Sequence, residues 1–79
     1  MSTLHTPEDL IGLLRRQLRI PFPIQPDTPL LSGGLIDSFS LAGLLAEIEY
    51  EFGASIDPAE IGVDNFDTAE QMFRLIRGG

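Results

Sequence analysis

The chain is predicted to be an all-α domain, a small bundle of four helices with a long loop between the first two. Three observations lead there. Apolar residues recur at helical spacing in separate stretches, and those stretches start at capping residues. No stretch of useful length alternates apolar and polar residues as a half-buried strand would. Four prolines, Pro21, Pro23, Pro26 and Pro29, crowd one segment and bar a regular helix there.

The first helix is expected over 7–19. Thr6 is its N-cap, and Pro7 sits at N1, where a missing N–H costs nothing. Glu8 and Asp9 suit the positive end of the helix dipole, and Arg15, Arg16 and Arg19 suit the negative end. Leu10, Ile11, Leu14 and Leu18 form the inward stripe. The loop that follows, PFPIQPDTPLLSGG, holds Phe22, Ile24, Leu30 and Leu31. It is too apolar for a free linker and is expected to lie pinned on the core. The second helix is expected over 38–52, stopped by Gly53. A short third is expected over 58–61, with Asp57, Pro58 and Glu60 at N-cap, N1 and N3. The fourth is expected over 68–77, with Asp67 and Glu70 as a second capping box and Ala69, Met72, Phe73 and Ile76 facing inward.

Bulk properties limit the function. With 79 residues, 1–79 is expected to be a single domain. A domain of this size buries only about 60% of the surface its unfolded chain exposes. No cysteine is present, so there is no disulfide framework and no thiolate metal site. His5 is the only histidine and would need three more ligands to hold zinc; it is expected to be solvated. The start, MSTLHTPEDL, lacks the basic and apolar regions of a secretion signal, and no apolar run approaches a membrane span of roughly 18 residues. A soluble, cytoplasmic protein with no membrane insertion is the expectation.

The net charge is −7, and its layout says more than its size. All five basic residues are arginines near the two ends: Arg15, Arg16, Arg19, Arg74 and Arg77. Between Ile20 and Phe73 there are ten carboxylates and no base. Nucleic-acid binding needs the reverse pattern, because affinity comes from neutralised phosphates. An acidic middle suits a basic protein partner, steered at a range that salt would shorten; it equally suits a solvated surface that keeps the chain soluble.

At about 100° per residue the second helix has two faces. Leu41, Leu44, Leu45, Ile48 and Phe52 form the core stripe. Phe39, Ala42, Ala46 and Tyr50 fall roughly opposite, with Gly43 beside them and Glu47, Glu49 and Glu51 on the flanks. A surface helix needs one apolar stripe, so the second is a candidate docking face. It is also compatible with plain helix-forming alanines and scattered exposed apolar residues.

The start of that helix, GGLIDSFSL, places a serine where a glycine turn ends. Asp37 is the expected N-cap and Ser38 is N1. Its hydroxyl would stand at the positive end of the helix beside unpaired backbone N–H groups, where an attached phosphate is favoured by about 0.3–1 kcal/mol. Structural capping and an exposed, modifiable hydroxyl both fit these residues. A catalytic serine does not: there is no G-x-S-x-G elbow. Glu47 and Glu51 share a helix face but no inferable pocket. An enzyme in its own right is not expected, nor is any catalytic or metal-binding residue.

The segment GGLIDSFSLAGLLAEIEYEFG resembles the phosphopantetheine-attachment segment of acyl and peptidyl carrier proteins: a glycine, a few residues, Asp-Ser, then an amphipathic helix ending in an aromatic. The resemblance continues through SIDPAEIGVDNFDTAEQMF and covers nearly the whole chain. Asp-Ser alone is a short signal; joined to the stripe, the FG stop, the FDT and the length, it is specific. The resemblance implies a bundle of the acyl-carrier type. It implies that Ser38, flanked by Asp37, receives 4′-phosphopantetheine from coenzyme A through a phosphopantetheinyl transferase that uses magnesium. It further implies that the arm's thiol carries an acyl or aminoacyl group as a thioester. Partners would then be that transferase, an adenylating acyl or aminoacyl ligase, and an acceptor transferase or synthase. They would read the second helix at Phe39, Ala42, Gly43, Ala46, Glu47 and Tyr50. Fatty-acid-type carriers usually have Leu after the serine and acids early in this helix. Here Phe39, Ser40, Ala42 and Gly43 stand there instead; the GLIDS start, the EFG stop and the spacing from SIDPAEI to NFDT resemble stand-alone carriers in D-alanine transfer or in aminoacyl and peptidyl systems. A monomeric carrier is the expectation, and an unmodified helical adaptor using the second helix is the alternative.

Overall fold

The computed structural model describes residues 6–78; His5 lies outside them. Four α-helices follow one another: α1 (Pro7–Leu18), α2 (Ser38–Phe52), α3 (Val63–Phe66) and α4 (Ala69–Gly78), with no strand among the described residues. α1 packs against both α2 and α4, and α3 against α4.

Local chemistry sets each helix start. Thr6 caps α1 through its side chain, which accepts the Asp9 N–H at 3.2 Å, while Asp9 accepts the Thr6 N–H at 3.3 Å. α1 stops one residue earlier than expected. Ile20 precedes Pro21 and is held out of the helical region, so Arg19 turns left-handed at φ 56° and the Ile20 N–H folds back to the Arg15 carbonyl. Leu10, Leu13 and Leu14 are buried, and Ile11 and Leu18 half-buried. Leu13 joins the expected stripe because α1 has neighbours on two sides.

The expected helix over 58–61 is only a three-residue 3-10 turn, Pro58–Glu60. Asp57 caps it through the Ala59 N–H at 3.0 Å, but Ile61 and Gly62 are extended and end it. The third α-helix begins after them. It has no side-chain cap, and the Gly62 carbonyl accepts the Asn65 and Phe66 N–H groups instead. At α4 the expected Asp67–Glu70 box is replaced by Thr68 and Gln71. Thr68 Oγ1 accepts the Gln71 N–H and Gln71 Oε1 accepts the Thr68 N–H, both at 3.1 Å. That leaves the Asp67 side chain for other work.

The loop between α1 and α2 is pinned, as its composition predicts. Ile20, Ile24, Leu30 and Ile36 are buried in one cluster with Leu44, Ile48, Phe66 and Met72. Phe22 departs from the expectation and is 46% exposed. The loop is fastened to the α3–α4 junction: the Glu70 N–H reaches the Pro26 carbonyl at 3.0 Å and the Leu30 N–H reaches the Asp67 carbonyl at 2.7 Å.

Candidate functional site

The site is built where this loop becomes α2. Leu30 closes the turn: its carbonyl accepts the Leu35 N–H at 2.8 Å and the Ile36 N–H at 3.1 Å. The turn is tight enough that a Cβ on residue 33 would run into the Pro29 carbonyl, and Gly34 takes φ 82°, a region open to glycine. Ile36 then drops into the core, and Asp37 caps α2 by accepting the Ser40 N–H at 2.7 Å. That N–H, with the Ser40 hydroxyl next in effect, holds the Asp37 carboxyl below the usual aspartate range.

Ser38 is therefore N1 of a 15-residue helix, and it is exposed. No acid lies in the first turn of α2 and no base in its last. The arrangement offers a primary hydroxyl to solvent at the electropositive end of a helix, next to an ionised aspartate. Such a hydroxyl can be esterified without disturbing the core.

The second face of α2 is open as expected. Phe39 is 92% and Tyr50 84% exposed, and Ala42, Gly43 and Ala46 between them are exposed as well. Positions 39 and 50 are about 16 Å apart along the helix axis. Gly43 lies on the α1 side, where a Cβ would meet Gln17. The flanking acids divide. Glu49 accepts the Ile56 N–H at 2.9 Å, and Glu51 lies 3.8 Å from Arg16. Among the described residues Glu47 makes no ion pair. Sequence reasoning treated all three as equivalent flanks; the partners of Glu49 and Glu51 come from elsewhere in the fold and leave no local signal.

One further element was missed. Asp67 is the buried charged side chain among the described residues, 8% exposed. Its Oδ1 accepts the Ser32 N–H at 2.8 Å and its Oδ2 the Ser32 hydroxyl at 2.7 Å. The Ser32 N–H is the main cause of a carboxyl held below the usual range; burial pulls the other way and is outweighed. The available signal was the adjacency of two capping residues, Asp67 and Thr68. Only one can cap α4, which frees the other for a distant bond.

A cleft of about 510 Å³ lies between the 3-10 turn, α3 and α4, against Asp57, Asp64, Arg74 and Leu75, and no α2 residue lines it. Ser38 stands on open surface away from it. No group of three or more His, Cys, Asp or Glu that could hold a metal occurs among the described residues. No helix there is long and apolar enough to cross a membrane.

The family model for the phosphopantetheine attachment site matches residues 8–76, the span from the first turn of α1 to the last turns of α4. No match is found among curated proteins or among solved structures. The group that this family binds covalently is 4′-phosphopantetheine, and the residues here suit it: an accessible hydroxyl, the positive end of a long helix for the phosphodiester, and open space around both. The chain belongs to the phosphopantetheine-attachment family and is a carrier protein.

Proposed function

We propose that Ser38 is the attachment residue, and that the chain is a carrier for an activated amino acid or small acyl group. The observation that carries the reading is the exposed hydroxyl at N1 of α2, directly after the Asp37 cap. When attached, 4′-phosphopantetheine supplies a flexible arm ending in a thiol that bears the cargo as a thioester. The chain's own residues present the hydroxyl, place it at the helix dipole's positive end and hold the start of α2 to the core through Ile36. With no cysteine in the body, the arm's thiol is the only one on the loaded chain.

The partners are a phosphopantetheinyl transferase, an adenylating ligase that loads the thiol, and an acceptor transferase or synthase. The face of α2 from Phe39 through Ala42 and Ala46 to Tyr50, with Glu47 at its edge, is where they dock. The early turns of α2 carry no acid and place Phe39 after the serine, which favours ligases of the aminoacyl or D-alanyl kind over fatty-acid synthase enzymes. The whole of 1–79 acts as a single domain without catalysis of its own, as a cytoplasmic monomer whose charge of −7 keeps copies apart.

Incubation with coenzyme A and a transferase, read by intact mass, tests this. The wild-type chain should gain one adduct and Ser38→Ala none, with stability changed by no more than about 0.5 kcal/mol. Labelling of Ser38→Ala would refute the assignment. The open face of α2 also suits an unmodified adaptor, and a wild-type chain that stays unmodified with active transferase present would favour it.

A further inference from the structure

We propose that Asp67 is a positioning residue for Ser38. Its clasp on Ser32 and Leu30 fixes the turn that feeds α2, and so fixes where the serine hydroxyl stands. This rests on the carrier reading above and goes beyond it, assigning a role to a residue at the far end of the domain, outside the Asp-Ser motif.

The bonds form an unbroken path. The two oxygens of Asp67 hold the Ser32 N–H and hydroxyl, and its carbonyl holds the Leu30 N–H. The Leu30 carbonyl in turn holds the Leu35 and Ile36 N–H groups. Ile36 adjoins Asp37, the cap of α2, and Ser38 comes next. A buried carboxylate is retained only when its charge is compensated, and here both donors come from one residue of that turn. Asp67 is itself held: its N–H and that of Thr68 both donate to Gln71 Oε1, at 2.7 and 3.1 Å.

Few side chains anchor Ser38 directly: Ile36 before it is buried, and Leu41 after it packs against the core only in part. The buried side chains of α2 are Leu44 and Ile48, in its middle. In the first turn Ser38 and Phe39 are exposed, and Ser40 and Leu41 are half-buried. The start of the helix therefore takes its position from the 30–36 turn together with Leu41, and that turn takes its position from Asp67 and from Leu30 and Ile36 in the core.

The carrier is the substrate of the transferase, and this separates positioning from plain stability. A variant that is partly unfolded lowers the concentration of competent substrate: half-saturation shifts and the saturated rate does not. A variant whose serine wanders after docking misses the in-line geometry, and the saturated rate falls. Single-turnover modification with coenzyme A and a transferase, read by mass over a range of carrier concentrations, distinguishes them. Asp67→Ala removes both Ser32 bonds and leaves the backbone bond to Leu30; it should lower the saturated rate about tenfold and leave half-saturation within about twofold. Asp67→Asn keeps an acceptor for the Ser32 N–H and offers its amide to the Ser32 hydroxyl, so it should recover to within about threefold of wild type. In the unmodified chain, the Leu35, Ile36 and Ser40 amides should exchange with deuterium about tenfold faster in Asp67→Ala, with Ile48 unchanged. Should Asp67→Ala fail to fold, Ser32→Ala removes only the hydroxyl bond and should lower the saturated rate about threefold. A saturated rate equal to wild type in the folded variant, with only half-saturation shifted, overturns the proposal. A wild-type chain that is not modified at Ser38 overturns the carrier reading itself.

Discussion

Replacing Phe66 by alanine should remove a large part of the domain's stability. α3 has four residues and no side-chain cap, so local chemistry alone does not hold it. Its anchor is Phe66, which is fully buried in the cluster with Met72 and Leu30. Truncating a buried phenylalanine to alanine costs about 3–5 kcal/mol, part from lost transfer and part from the cavity left behind. A domain of 79 residues has a total stability of roughly 4–12 kcal/mol at about 0.05–0.15 kcal/mol per residue. The variant therefore loses from about a quarter to all of it. Urea unfolding followed by circular dichroism reads this directly. With a slope of about 1.5 kcal/mol per molar, the midpoint should fall by about 2–3 M and the slope should stay the same. Phe66→Leu refills most of the space and should cost about 1–2 kcal/mol. A midpoint shift below about 0.5 M for the alanine variant, at unchanged slope, would refute the anchoring of α3 by this ring.

Other expected outcomes follow from the same contacts. Ala46→Glu puts a charge in the middle of the open face of α2; loading by the ligase should slow severalfold while the melting temperature holds, and unchanged loading kinetics would count against docking there. The acid limit of stability should follow Asp37 and Asp67. Both carboxyls are held low by hydrogen bonds to Ser40 and Ser32, so their folded values lie below the unfolded value of about 3.9. Their contribution is present above that pH and is lost as pH falls through the lowered folded values. Acid titration of Asp67→Asn should therefore show a shallower loss of stability below about pH 4 than the wild type, and an identical slope would refute the assignment.

Much of this was legible because it is local. Thr6, Asp37 and Asp57 cap the elements they precede, and Gly53 ends α2 at φ 65°. The two-faced pattern of α2 put Phe39 and Tyr50 opposite Leu44 and Ile48, and they are the exposed and buried pairs. What was not legible depends on residues distant in sequence. Asp67 and Thr68 satisfy the capping rule equally well, and only the arrival of Ser32 decides between them. Glu49 looked like a solvated flank until the chain returned to place Ile56 against it. The third helix was misplaced because Asp57-Pro58 carries a strong start signal, while α3 has no cap and is stabilised by tertiary packing of Phe66.

The charge on α2 runs against its own dipole. Glu49 and Glu51 sit in the last turn, beside the helix's unpaired carbonyls, with Glu47 one turn before them, and the first turn holds no acid. Acids at that end are unfavourable to the helix dipole; Arg16 offsets Glu51 and the Ile56 N–H offsets Glu49, and Glu47 makes no ion pair among the described residues. A cationic partner meeting that half would relax the carrier as well as attract it, so docking and helix stability are coupled. Added salt then acts with opposite signs: it calms the isolated helix and weakens the complex.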